Sequence, residues 1–191
     1  MTLFEEVDIM NTPNAFKSGK LYSVKPSSGL ADLSISRSTT ATRVNSAGTI
    51  ETLAVDVPQL DYTDSSCPSF LIEPQRTNLA FPSATAVTQT VTTSAAAYTL
   101  SFYGTGSVTL SGTHSATLNG TGASNRVTLT FTPSSGSLTM TVAGTVTNIQ
   151  LEAGDFASSL IPTTSASVTR NLTSFLKTGL SSLIGQTEGV F

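Results

Sequence analysis

Side chains able to do chemistry are few in this chain and widely scattered. The one histidine, His114, sits in Gly112-Thr-His-Ser115 with no second imidazole to share a metal. A nucleophilic triad through it would need partners from distant segments, so a surface histidine is expected. The one cysteine, Cys67, excludes an intrachain disulfide and reads as a small buried hydrophobe ahead of Pro68. Glycoside hydrolysis needs two facing carboxylates. The charge-poor half offers only Glu152 and Asp155, and Glu152 in Gln150-Leu-Glu-Ala-Gly154 is expected to hold a loop by hydrogen bonds. Asp56, Asp61 and Asp64 lie among Tyr62, Thr63, Ser65 and Ser66 in an oxygen-rich loop that would suit calcium. The loop lacks the glycine and closing glutamate of an EF-hand, which leaves turn-forming aspartates as the expectation. Gly104-Thr-Gly106 and Gly120-Thr-Gly122 lead into further strands, not into a helix that could cradle phosphate. The expectation is a non-enzymatic chain without cofactor or metal.

Binding is left. Aromatic platforms commonly hold sugars, and the chain has no tryptophan. Tyr98, Phe102 and Tyr103 are the candidates, and alternation puts Tyr103 on the face opposite the other two. Tyr103 is therefore the candidate glycan contact, with a solvent-facing or intersubunit tyrosine as the competing reading. Arg37 and Arg43 bracket a turn and are candidate contacts to a partner subunit, against plain surface guanidinium groups. Apolar residues toward the two ends, Phe4, Val7 and Ile9 with Phe175, Leu176 and Leu180, are candidate oligomer or partner contacts.

The elements that must position these residues are strands. Thr and Ser total 61 (33 plus 28), a β-branched, hydroxyl-rich balance that disfavours helix. Charged residues are 11% and the net charge is −3, with no Lys/Arg run, so no nucleic-acid partner is expected. No apolar segment approaches the ~20 residues needed to cross a bilayer. Acids at Glu5 and Glu6 stand where a signal peptide would carry positive charge.

Taken in order, residues 1–32 hold no sustained period and read as an N-terminal arm, anchored or unfolded. Residues 33–79 alternate in short runs, with Asn45-Ser-Ala-Gly48 closing a hairpin. Within this region Phe70-Leu71-Ile72 reads as a buried strand stopped by Pro74, flanked by Glu73 and Arg76 as an opposite-charge pair, either facing inward as mutual partners or solvated in a loop. Residues 80–165 carry the clearest pattern. Tyr98, Leu100 and Phe102 share a face; Asn119-Gly120 is a two-residue hairpin signal; Val127, Leu129 and Phe131, then Leu138, Met140 and Val142, alternate with hydroxyls. Six or more short strands with frequent turns predict an all-β antiparallel sandwich. Between Ala84 and Leu151 the only charged residue is Arg126, so the outer face must be coated with hydroxyls, as suits a flank packed on identical copies. Residues 166–191 form a C-terminal connector in which Leu172, Phe175, Leu176, Leu180, Leu183 and Ile184 have helical spacing, predicting a short helix or turns.

Three blocks carry a resemblance: Ser36-Arg-Ser-Thr-Thr-Ala-Thr-Arg-Val-Asn-Ser-Ala-Gly-Thr-Ile-Glu51 with Val57-Pro-Gln-Leu-Asp-Tyr62; Leu71-Ile-Glu-Pro-Gln-Arg-Thr-Asn-Leu79; and Asn148-Ile-Gln-Leu-Glu-Ala-Gly-Asp-Phe-Ala-Ser-Ser-Leu-Ile-Pro-Thr163 with Thr169-Arg170. In this order they are similar to structural proteins of tailed-bacteriophage virions, mostly tail- and head-fibre or fibre-adaptor proteins. The resemblance implies a jelly-roll module of the carbohydrate-binding type, docking through the N-terminal end to other virion proteins (capsid, portal, neck or tail), and a homotrimer. It implies host-surface glycans as candidate ligands and a location in the phage particle, after synthesis in the bacterial cytoplasm. In that family a sequence like Gly179-Leu-Ser-Ser-Leu-Ile-Gly-Gln-Thr-Glu-Gly189 often introduces a further lectin-like sandwich, and the sequence reads to Phe191, where that module would start.

Overall fold

Every regular element among the described residues of this computed structural model is a β-strand, and every strand pair is antiparallel. The structure describes residues 10–25, 33–176 and 178, with the backbone alone described over 10–17 and 20–25. The chain divides into two compact units: the described residues before Glu73 with those after Asn171, and Glu73–Asn171.

In the first unit, β1 (Met10–Lys17) and β2 (Lys20–Lys25) are joined by Ser18-Gly19, whose φ angles of 52° and 74° suit the twist of a two-residue hairpin. Next in the sheet is β3 (Leu33–Ser36), and Ser174–Leu176 returns from the far end of the chain as β17 to complete the order β1-β2-β3-β17. The helical spacing from Leu172 is thus overridden over Ser174–Leu176, because pairing with β3 satisfies backbone groups that a single isolated turn would leave to water. The rest of that run, Leu180 included, lies outside the described residues, as do Phe4, Val7 and Ile9.

The expected hairpin forms from β4 (Ala41–Val44) and β5 (Ile50–Leu53), with the Asn45 carboxamide oxygen accepting the N–H groups of Ala47 and Thr49. A short pair follows, β6 (Leu60–Asp61) with β7 (Ser69–Phe70). Pairing stops at Phe70, and Ile72 is 69% exposed, so Phe70-Leu71-Ile72 is not the buried strand its composition predicts. Ile35, Ala41 and Leu53 are buried here, and the Phe70 ring meets Phe175 edge-on at 4.6 Å.

The second unit holds β8 (Arg76–Asn78), β9 (Gln89–Thr93), β10 (Tyr98–Gly104), β11 (Ser107–Gly112), β12 (Ala116–Asn119), β13 (Gly122–Phe131), β14 (Gly136–Ala143), β15 (Val146–Ala153) and β16 (Val168–Arg170). A four-stranded sheet, β12-β11-β14-β9, packs on a three-stranded one, β13-β10-β15, and β8 pairs with β16. Alternate residues of the two sheets make the core, with Leu100, Phe102, Val108, Leu110, Leu138, Met140, Ile149 and Leu151 fully buried. This is the predicted antiparallel sandwich.

Its turns differ from expectation. Asn119-Gly120 does not close a ladder: β12 pairs with β11 in one sheet and β13 with β10 in the other, so the turn carries the chain across the sandwich. Gly104-Thr-Gly106 crosses likewise. A Cβ on Gly106 would collide with the carbonyl oxygen of Ala143, and one on Gly120 with that of Gly104. These glycines serve backbone packing, fixed by hydrogen bonds of 2.8 Å from Gly120 N to Gly106 O and from Gly106 N to Thr145 O.

Candidate functional site

The outer face of the three-stranded sheet is where this sandwich departs from a solvated one. Register sets Thr130, Thr99 and Glu152 in one row, Thr128, Ser101 and Gln150 in the next, and Arg126, Tyr103 and Thr147 in a third. A shift between Ser101 and Tyr103, with Asn148 at φ 48°, keeps Ile149 in the core while Gln150 stays opposite Ser101 on the outside. Yet Thr99, Ser101, Gln150 and Glu152 are buried, because the segment after β15 and the segment Glu73–Asn78 lie over them.

Glu152 accepts from Gln150 Nε2 at 2.6 Å, Ser158 N at 2.8 Å and Ser158 Oγ at 2.6 Å. Glu73 accepts from Ser159 N and Ser159 Oγ, both at 2.6 Å, and pairs with Arg170 Nη1 at 3.0 Å. Arg170 donates further to Ser159 Oγ and to the Pro74 carbonyl. Arg126 donates to the Ser158 carbonyl at 2.6 Å and to Ser101 Oγ at 2.8 Å. Asn78, fully buried, uses all its capacity: Nδ2 donates to Ile149 O and Ile161 O, and Oδ1 accepts from Ala80 N and Leu151 N. Burial holds the Arg126 and Arg170 guanidinium pKa values below their usual range, opposed for Arg170 by Glu73 and Glu152.

Glu73 and Arg76, which the sequence offers as a mutual pair either facing inward or solvated in a loop, are instead each turned to a residue from further along the unit, Glu73 to Arg170 and Arg76 to Glu152 at 3.6 Å. That second distance is an ion pair too long for a hydrogen bond. Among these five groups, three guanidinium groups meet two carboxylates. Arg76 also lies over the Phe156 ring, 5.0 Å from its centroid, and a Cβ on Gly154 (φ 142°) would collide with its guanidinium. Beside Arg76 opens a cleft of about 480 Å³ walled by Gln75, Thr77, Leu79, Thr92, Tyr98 and Ala153.

The other candidates from sequence fall elsewhere. Arg37 is 1% exposed: its guanidinium donates to the carbonyls of Thr39, Ala54 and Val57 and to Thr173 Oγ1, so it is spent inside its own chain, not presented to a partner. Arg43 is half-buried and pairs with Glu51 at 2.6 Å, its cross-strand neighbour. Tyr103 is half-buried on the outer face, between Arg126 and Thr147. Phe175 packs on Phe70, and Leu176 is 60% exposed. Cys67 is exposed, contrary to the buried hydrophobe expected. His114 is half-buried and stacks on Phe131 at 4.6 Å. Asp61 accepts the Thr63 N–H, the turn role expected, whereas Asp56 and the other Asp61 oxygen accept the backbone N–H groups of Arg37 and Val44 from distant segments. Among the described residues no group of His, Cys, Asp or Glu is placed to hold a metal ion, and no helix is long and apolar enough to cross a membrane.

Sequence reasoning missed that Arg126, Asn78, Gln150 and Arg170 belong to one network. Arg126 carried a signal, as the lone charge in a long neutral stretch; Asn78 and Gln150 carried none beyond their blocks. No protein family, curated protein or solved structure matched the chain.

Proposed function

We propose that this chain is a non-enzymatic bacteriophage virion structural protein, a fibre or fibre-base adaptor subunit attached to the particle by its N-terminal region and assembled as a homotrimer. One observation carries the reading: two of the blocks that resemble virion proteins, Leu71–Leu79 and Asn148–Thr163 with Arg170, meet in a single buried hydrogen-bonded network. The resemblance therefore falls on residues that build the fold, which is the level at which structural modules are alike. The two buried carboxylates support a non-enzymatic role, because their oxygens are already bonded to Ser158, Ser159, Gln150 and Arg170. A hydroxyl-clad outer sheet, with Thr109 bonded to Thr117 and Thr90 to Thr139, suits packing of copies without stranded charges. Light scattering on the purified protein tests assembly: a trimer mass is expected, and a monomer at all concentrations overturns it. Mass spectrometry of gradient-purified particles tests location, with the chain expected among the particle proteins.

A second reading, a carbohydrate-binding module of the jelly-roll type for host-surface adsorption, is favoured by the cleft beside Arg76. Binding of the protein to a glycan array tests it.

A further inference from the structure

Three guanidinium groups of the network, those of Arg76, Arg126 and Arg170, have an Nε without a hydrogen-bond partner, and of the three only Arg76 also leaves both Nη groups unbonded. Glu152 already accepts three hydrogen bonds of 2.8 Å or less, none from Arg76, which it meets only at 3.6 Å. Arg76 Nε has no hydrogen-bond partner, and no described residue accepts from either Nη. Its side chain is nonetheless held, with Phe156 under its plane and Gly154 leaving no room for a Cβ beside it. A guanidinium fixed in place with its terminal fork unspent is built to take a carboxylate in two parallel bonds.

Arg76 lines the cleft, whose other walls combine hydroxyl and amide groups (Thr77, Thr92, Gln75) with apolar surface (Leu79, Tyr98). The cleft is open to solvent, with about 480 Å³ of space beside Arg76, so a ligand would lie along it without being enclosed. We infer that this cleft binds the carboxylate of an acidic sugar, a uronic-acid unit, with Arg76 clamping the carboxylate and Thr92 and Gln75 reaching sugar hydroxyls. The ligand's charge would also cancel the excess of one guanidinium over the two carboxylates of the network. This inference rests on the carbohydrate-binding reading and names its substrate class.

The test uses the full chain in calorimetric titrations at low salt with glucuronate, with glucose and with a di-glutamate peptide. Two variants accompany it: Arg76→Met, which removes the fork, and Thr92→Trp, which fills the cleft from an exposed strand position without touching the ion pairs. Saturable glucuronate binding that weakens with salt and falls roughly tenfold or more in both variants is expected, with glucose markedly weaker. Equal binding of glucuronate and glucose, or undiminished glucuronate binding by folded Thr92→Trp, overturns the site while leaving a carbohydrate-binding role standing. Tighter binding of the peptide than of glucuronate overturns the sugar assignment. Binding of neither sugar, with no hit on the glycan array, overturns both readings together.

Discussion

Glu73 and Arg170, from opposite ends of the sandwich unit, meet at 3.0 Å with side chains 10% and 1% exposed. Removing one partner leaves the other buried and uncompensated, at a cost of about 3–5 kcal/mol. Arg170→Met and Glu73→Gln are each expected to lower the urea midpoint strongly. The double variant is expected to lose less than the sum, and strict additivity in that cycle would remove the pair from the account.

Asn78→Ala strips four hydrogen bonds from buried backbone groups. A loss of about 4 kcal/mol follows at the usual net value of about 1 kcal/mol for each of the four. Asn78→Asp is expected to be as damaging, since a carboxylate cannot donate to the carbonyls of Ile149 and Ile161. Denaturant unfolding checks both, and a native-like midpoint for either would contradict the geometry.

Gly106→Ala places a methyl against the Ala143 carbonyl and the Gly144 backbone, where neither neighbour is a movable side-chain tip. Destabilisation of about 1–3 kcal/mol is expected. Thermal unfolding reads it, with Thr121→Ala in the exposed neighbouring turn expected to stay near wild type.

Hydrogen bonds from Asn45 and then Arg43 hold the Glu51 carboxyl below its ordinary value of 4.5. A carboxylate whose pKa is depressed by folding stabilises the folded state above the unfolded value. That contribution disappears as pH falls through the lowered folded value. The stability gap between wild type and Glu51→Gln is therefore expected at neutral pH and to close on acidification below 4.5. A gap that widens with acid would reverse the sign argued here.

Cys67 is exposed beside Ser65 and Ser66. It is expected to react with a thiol reagent in the native protein at the rate of the denatured chain within an order of magnitude. Full protection until unfolding would place it inside.

The sequence alone determined that this is an antiparallel β protein, which apolar faces meet in the core and where several turns fall. Those follow from local alternation: Leu100 with Phe102 and Leu138 with Met140 needed nothing beyond the pleat. Only the tertiary structure decided which turns stay in one sheet, because Asn119-Gly120 has the same local chemistry whether the next strand pairs beside it or crosses over. It likewise decided the partners of Glu73, Arg76 and Arg37, and it made a paired strand of Ser174–Leu176 within a run of helical spacing. Charges and backbone groups take partners by proximity in the folded chain, and long-range contacts set that proximity, where periodicity has no signal.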